Sequence, residues 1–373
     1  MKKLNIHIML LNLFIFILSL PMLDRKLHIF PQVVSSEKRE LAPRPDYRNL
    51  RSAPELIHAF DSYWTDNFGG RSNMITLQSQ MWVKLFQESP IPTVIIGKDG
   101  WSFYKSEGKN DGPGINDYQG LVTFKENDLD NIIKNLSATN AKLESRGIKL
   151  IVLVAPNKST IYGEMLPINY RRFSPTTRLD TFIKAVPEDI RLVDVRDILR
   201  DKKGVMETYQ KTDSHWSSFG AFIATQNIKN NYPDISPVDQ LELTDYNLLQ
   251  ENVSGEGDLV SMMSARGIFQ DVSQIFTHKK DQGIKSGNFQ FLDFKYSGYN
   301  LTQRDQSLPT LLFTGDSFAS YMNPFLISYF SSVYVTGFKS TGMFEDEMLD
   351  IIQPDIVIWQ VAERYLDRLA TPN

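Results

Sequence analysis

Leu311-Leu312-Phe313-Thr314-Gly315-Asp316-Ser317-Phe318 carries an apolar strand signal that breaks at Gly-Asp-Ser and gives way to a helix. The pattern predicts a strand over 311–314 and a helix over 318–330. A serine placed there stands at the carboxyl end of a central strand, where open α/β sheets put their ligands. It also stands at a helix N-terminus, where backbone N–H groups and the helix dipole favour an oxyanion. Gly315 permits a tight turn. The tripeptide alone fits a simple helix cap by Asp316 or Ser317 equally well.

Working outward, 148–154 is a continuous apolar run, as expected of a strand buried on both faces. Further strands are predicted over 191–195, 333–336 and 355–360, with helices over 128–144, 179–185, 219–228 and 344–351 between them. This alternation predicts an α/β fold with a mostly parallel sheet flanked by helices. Residues 235–308 break the rhythm and are expected to form an insertion, a lid or small sheet, with strand-like pieces at 275–278 and 289–296. Upstream, 93–96 and 101–104 flank Gly97-Lys98-Asp99-Gly100 and read as a β-hairpin. Two earlier helices are expected, over 54–68 and after Ser72, which is placed to cap the second.

Composition narrows the chemistry. The chain has 373 residues, 42% hydrophobic and 23% charged, with a formal net charge of −4. That is an ordinary globular balance without the basic footprint of a nucleic-acid binder. It has no cysteine, which excludes disulfides, thiolate metal sites and a Cys nucleophile. Its five histidines form no HExxH or His-x-His pair, so no metal is expected. Lys2 and Lys3 precede an apolar run over 4–23, about the length that crosses a bilayer. No small-x-small cleavage site precedes Asp24, so the run reads as a signal anchor with a cytoplasmic N-terminus, with a cleaved signal peptide, which gives the same compartment, as the alternative. The expected organisation is an anchor over 1–23, a linker over 24–52, and one catalytic domain over 53–373 carrying the insertion.

A second motif, Thr212-Asp213-Ser214-His215-Trp216, supplies what a serine nucleophile lacks. Histidine removes the hydroxyl proton near neutral pH, and an aspartate two residues away can fold back onto the ring and fix its tautomer. A lone Asp-x-His is a weak signal. His215 gains weight as the one histidine of five flanked by an acid, a tryptophan and a helix start.

Asp213-Ser214-His215-Trp216 and Gly315-Asp316-Ser317-Phe318 resemble the two signature blocks of the alginate O-acetyltransferase family of the AlgJ/AlgX type, which are SGNH-hydrolase-like proteins. Other ordered blocks agree: Ser36-Glu37-Lys38-Arg39-Glu40-Leu41-Ala42-Pro43, Asp66-Asn67-Phe68-Gly69-Gly70-Arg71, Gly97-Lys98-Asp99-Gly100-Trp101, Pro156-Asn157-Lys158 with Ile161-Tyr162, and Glu363-Arg364. The resemblance implies Ser317 as nucleophile, His215 as base and Asp213 as its orienting acid, in an Asp, His, Ser order that is permuted from ordinary SGNH hydrolases. It implies transfer of an acetyl group through an acetyl-serine to a polysaccharide, without a cofactor. It also implies a membrane-bound O-acyltransferase as acetyl supplier, and an inner-membrane anchor holding a periplasmic catalytic domain. The SGNH-block asparagine has no assignment. Tyr321 and Asn323 are candidates for the oxyanion or substrate, with packing as the alternative for Tyr321. Lys158 is a candidate contact for donor or sugar, or else structural. Trp216 is a candidate sugar platform, or else core. Glu363-Arg364 reads as a structural ion pair. No carbohydrate-binding module is expected after Arg364. Two rival readings stand: a carbohydrate acetyl esterase using the same triad, and a non-catalytic polysaccharide-binding scaffold.

Overall fold

The structure, a computed structural model, describes residues 2–31, 40–46, 52–106, 112–291, 296–337 and 344–370. Half of the block 36–43, residues 36–39, therefore falls outside the described residues, as does part of the expected linker. The chain divides into two compact units: Met1–Pro90 with Ser261–Ile268, and Ile91–Val260 with Phe269–Asn373. The expected domain start at 53 differs from this division, which groups both early helices with the N-terminal segment.

The first unit is helical. Helix α1 spans Lys2–Leu27, α2 spans Ala53–Asn67 and α3 spans Arg71–Phe86. Residues Ile6–Leu27 of α1 are long and apolar enough to cross a membrane, with a mean hydropathy of 2.3. Ser52 caps α2 by accepting from the Glu55 N–H. The expected Ser72 cap is not formed, because α3 starts two residues earlier from Gly70 and takes Ser72 into its first turn.

The second unit is built on a seven-stranded sheet. In chain order the strands of this unit are β1 (Val94–Ile96), β2 (Ser102–Tyr104), β3 (Lys149–Ala155), β4 (Arg191–Asp194), β5 (Tyr246–Ser254), β6 (Gln270–His278), β7 (Lys285–Phe291), β8 (Tyr296–Thr302), β9 (Thr310–Gly315), β10 (Ser332–Gly337) and β11 (Ile356–Ala362). The large sheet has the order β4-β3-β11-β9-β10-β8-β7. From β4 to β10 all pairs are parallel, while β8 runs antiparallel to β10 and β7 antiparallel to β8.

Side-chain alternation along the central strands sorts the core into two layers. Ile151, Leu153, Leu311, Phe313, Ile356 and Ile358 face one layer, where Phe219, Phe222 and Phe325 pack from helices Ser218–Asn231 and Ala319–Leu326. Leu150, Val152, Leu312, Val357 and Trp359 face the other, against Ile132, Leu136, Phe182 and Met348. Because β3, β9 and β11 are covered on both faces, their sequences are continuous apolar runs.

Three expectations need correction. The insertion carries a separate small sheet only in part. β5 and β6 pair apart as a two-stranded antiparallel sheet, whereas β7 and β8 extend the main sheet and make it mixed. The strand expected over 289–296 is the end of β7 and the start of β8, joined by residues outside the described set. The helix expected over 318–330 is α-helical only over Ala319–Leu326 and continues as a 3-10 turn, Ile327–Tyr329. Pro324 lies inside it and removes a backbone donor there.

Candidate active site

The parallel strands bring their carboxyl ends to one edge. β9 ends at Gly315 and leads into Ser317, β11 ends at Ala362 before Glu363, and β3 ends at Ala155 before Asn157 and Lys158. The turn after β9 is fixed by Asp316. Its carboxylate accepts from the Phe318 N–H at 3.0 Å and, across to β11, from the Ala362 N–H at 2.7 Å. The Asp316 N–H donates to the Gln360 side-chain oxygen at 3.1 Å. Gly315 is required here for clearance, since a Cβ would sit 2.4 Å from that same oxygen. Ser317 is left exposed at the tip of the turn.

The second motif arrives from the opposite side. Tyr209 and Trp216 form an antiparallel bridge that closes the loop presenting 212–215. Trp216 is fully buried, and its indole N–H donates to the Phe318 carbonyl at 3.1 Å, tying this loop to the serine turn. It exposes no face to a sugar, so the platform reading is corrected to core. Ser317 Oγ lies 2.5 Å from His215 Nε2, and His215 Nδ1 lies 2.5 Å from Asp213 Oδ1. Burial disfavours the charge on Asp213. Hydrogen bonding and charge from His215, with the Asp258 N–H, outweigh burial and hold the carboxyl well below the usual carboxylate range.

Two further carboxylates, both from the insertion, hold the loop. The Asp258 N–H donates to Asp213 Oδ2 at 2.9 Å, while its carboxylate accepts from Ser214 N–H at 2.7 Å and Ser214 Oγ at 2.6 Å. Asp258 Oδ2 is 3.9 Å from His215 Nδ1. Asp271, nearly buried, accepts from the Thr212 N–H at 2.8 Å and its hydroxyl at 2.5 Å. Gly257 lets the segment leading into the helix Asp258–Met262 lie close against this loop, because a Cβ there would meet the Thr212 carbonyl at 2.4 Å. The ligand atoms of Asp213, His215 and Asp258 lie within 4.8 Å of one another, the spacing of a cation site, yet Nδ1 and both carboxylates are engaged in the hydrogen bonds above.

Lys158 is structural. It is buried, and its ammonium donates to the carbonyls of Gln210 at 2.9 Å, Lys211 at 3.0 Å and Asp213 at 2.6 Å. It also lies over the rings of Trp101 and Phe103 from the β1–β2 hairpin, at 5.6 and 5.4 Å. Burial pulls its pKa down to about 8, against the carboxylates of Asp258, Asp213 and Asp271.

Tyr321 stacks on the His215 ring at 5.6 Å, and its hydroxyl meets Gln210 Nε2 at 3.1 Å. It touches the base, and its hydroxyl is engaged by Gln210. Asn323 is buried against the Tyr299 hydroxyl. Asn157, quoted in the sequence without a role, keeps a buried side-chain nitrogen with no hydrogen-bond partner among the described residues. It lines a cleft of about 10 Å³ with Lys158, Ser214 and Arg364, room for one water-sized atom.

Glu363 and Arg364 do not pair. The Glu363 carboxylate accepts from the Asn157 N–H and the Thr160 hydroxyl, each at 2.7 Å. Arg364 reaches Asn157 Oδ1 at 3.4 Å and lies over the Phe318 and Tyr365 rings. Burial, with the nearby Asp117 charge, pushes Glu363 up to about 7. Its other oxygen has no partner among the described residues, which suits a protonated acid. Between about pH 4.5 and 7 the unfolded chain releases this proton while the folded chain keeps it. Stability therefore falls as pH rises through that window, by about 3 kcal/mol in all. Glu363→Gln, which fixes the neutral form, is expected to flatten this decline in urea titrations and to raise stability at pH 8. An unchanged pH dependence would place the proton elsewhere.

Comparison with known proteins follows this geometry. A protein-family model described as "SGNH hydrolase-like domain, acetyltransferase AlgX" matches residues 94–363. The chain is 24% identical to the probable alginate O-acetylase AlgJ of Pseudomonas aeruginosa, over 84% of this chain and 80% of that one. Among solved structures, Bacillus cereus PatB1 with a sulfonyl adduct superposes with a TM-score of 0.58 at 15% identity, covering 77% of this chain and 99% of that one. A DHHW family protein from Eubacterium siraeum superposes with a TM-score of 0.52 at 16% identity, covering 76% and 96%. These structural likenesses bear on the fold.

Proposed function

The chain belongs to the family of SGNH hydrolase-like domains of the acetyltransferase AlgX type, and from that premise we propose that it transfers acetyl groups to the hydroxyls of an exopolysaccharide through an acetyl-Ser317 intermediate. The observation that carries this is the unbroken relay from Ser317 Oγ to His215 Nε2 and from Nδ1 to Asp213, 2.5 Å at each step.

His215 Nε2 takes the Oγ proton as Oγ attacks the acetyl carbonyl of the donor. The tetrahedral oxyanion forms beside the Ser317 backbone N–H at the helix start. As it collapses, the donor's leaving group departs with the proton held on Nε2. A sugar hydroxyl then gives its proton to Nε2 and attacks the acetyl-serine, and Ser317 leaves with that proton restored. Asp213 keeps Nε2 the basic nitrogen by holding Nδ1–H and stabilises the imidazolium that forms at each step. The residues around the relay are spent on hydrogen bonds among themselves, and the chemistry needs neither metal nor organic cofactor.

The curated relative is named an alginate O-acetylase, and we take a polysaccharide of that kind as the acceptor. Helix α1 anchors the domain in the inner membrane, with the catalytic unit on the periplasmic side. A membrane-bound O-acyltransferase supplies the acetyl group there, and the shared membrane raises the effective concentration of one for the other. Ser317 is exposed, so water also reaches it, and hydrolysis is the competing outcome. Incubation with a labelled acetyl donor and an oligosaccharide is expected to yield labelled oligosaccharide. Free acetate as the sole product would make the protein an esterase.

A further inference from the structure

The anchor is not the only apolar feature of the first unit. Helix α3 packs through Ser79 and Val83 and turns its opposite face outward. That face carries Met74, Leu77, Met81, Trp82, Leu85 and Phe86, all exposed, around a groove of about 320 Å³. Helix α2 adds Ile57, Phe60 and Trp64, also exposed. Exposed apolar surface on this scale is costly in water and marks a site that something covers.

The turn between the two helices shows where that face lies. Gly69 is pressed against the last turns of α1, so that a Cβ would sit 2.2 Å from the Pro21 carbonyl and 2.8 Å from the Arg25 nitrogen. Arg25 donates to the Tyr63 hydroxyl and lies 5.3 and 5.2 Å from the Tyr63 and Trp64 ring centres. Asn73, in the first turn of α3, donates to the Pro31 carbonyl at 3.2 Å. If α1 spans the bilayer, Pro21 to Arg25 is where it emerges, and the α2–α3 turn is clasped to that point. Arg25 and Lys26 close α1 with long side chains that carry their charges out to the interface. An amphipathic helix with Trp and Phe on its apolar side, starting at the membrane surface, has the makeup of an interfacial element.

We propose that α2 and α3 form a second membrane element, with the exposed apolar face of α3 seated at the boundary between lipid headgroups and acyl chains beside the exit of α1. The proposal rests on α1 spanning the membrane. The occupant is lipid because the turn that starts α3 is held against the last residues of that apolar helix. Seated there, α3 fixes how the first unit stands on the bilayer, which one helix alone leaves free to rotate.

Because the chain has no cysteine, single cysteines can be introduced one at a time and spin-labelled. The full-length protein would carry labels at Leu77, Met81 or Leu85, with Leu13 as lipid reference and Glu188 as water reference. Vesicles of phosphatidylcholine and phosphatidylglycerol serve as the membrane. Labels at Leu77, Met81 and Leu85 are expected to show an oxygen-to-nickel-chelate accessibility ratio several-fold above that at Glu188. Ratios equal to Glu188, with Leu13 in lipid, overturn the proposal while sparing the anchor. Protection that appears only in native membranes also overturns it, in favour of an integral protein as occupant. A Leu13 label open to the nickel chelate sinks the anchor and the proposal together.

Discussion

Ser317→Ala is expected to abolish acetyl transfer, lowering kcat by about three orders of magnitude or more, while the protein folds and associates with membranes as before. The reasoning is local. Ser317 is exposed, so removing its oxygen opens no cavity, and the effect on stability should stay within about 0.5 kcal/mol. What is lost is the atom that becomes acetylated. The His215–Asp213 pair remains, because its 2.5 Å contact does not depend on the serine. Two measurements separate the readings: mass spectrometry of the protein after exposure to an activated acetyl ester, and the acetyl content of the polymer. The variant should gain no acetyl adduct at this site and leave the polymer unacetylated. A variant that acetylates normally would remove Ser317 from the chemistry and return the protein to the binding-scaffold reading.

The serine turn was legible because its signals are local and redundant. An apolar run and a Gly-Asp-Ser break occupy eight consecutive residues, and the helix follows at once. The strands buried on both faces were legible for the same reason, since β3, β9 and β11 have no polar side to interrupt them. β7 and β8 were not. Their sequences, KSGNFQF and YSGYNLT, are polar and glycine-bearing. Weak alternation of this kind does not say which edge a strand joins. The supports of the base loop were equally hidden. Asp258 and Asp271 lie 45 and 59 residues from the groups they bind, and nothing about an isolated aspartate announces a tertiary partner. Trp216 and Lys158 were open between two readings for a related reason. A large aromatic beside a catalytic histidine and a lysine after a strand suit ligand contact by type, and only burial shows that both are spent on holding backbone.

Lys158→Met is the sharper test of that last point, because a substrate lysine and a clamping lysine fail differently. Methionine keeps the length and apolar stem but removes all donors. The carbonyls of Gln210, Lys211 and Asp213 then lose their shared partner, and Asp213, Asp258 and Asp271 lose the buried cation that offsets them. The expected cost is about 3–5 kcal/mol of folding stability, read as a fall in the denaturation midpoint. The same change should lower kcat more than it raises KM, because the loop that carries Asp213 and His215 would relax away from Ser317 Oγ, and a small displacement of a general base is expensive. Stability loss and kcat loss should appear together. If Lys158 instead met donor or sugar, the variant would keep its midpoint and raise KM alone. Its charge also sets a pH signature. Burial holds the folded pKa near 8, below the free value of 10.5, so above pH 8 the folded chain releases a proton that the unfolded chain still binds. Stability should therefore rise between about pH 8 and 10.5 from this group, and Lys158→Met should erase that rise. A wild-type protein with no such rise, or a variant that keeps it, would show that the ammonium is not held where its three hydrogen bonds put it.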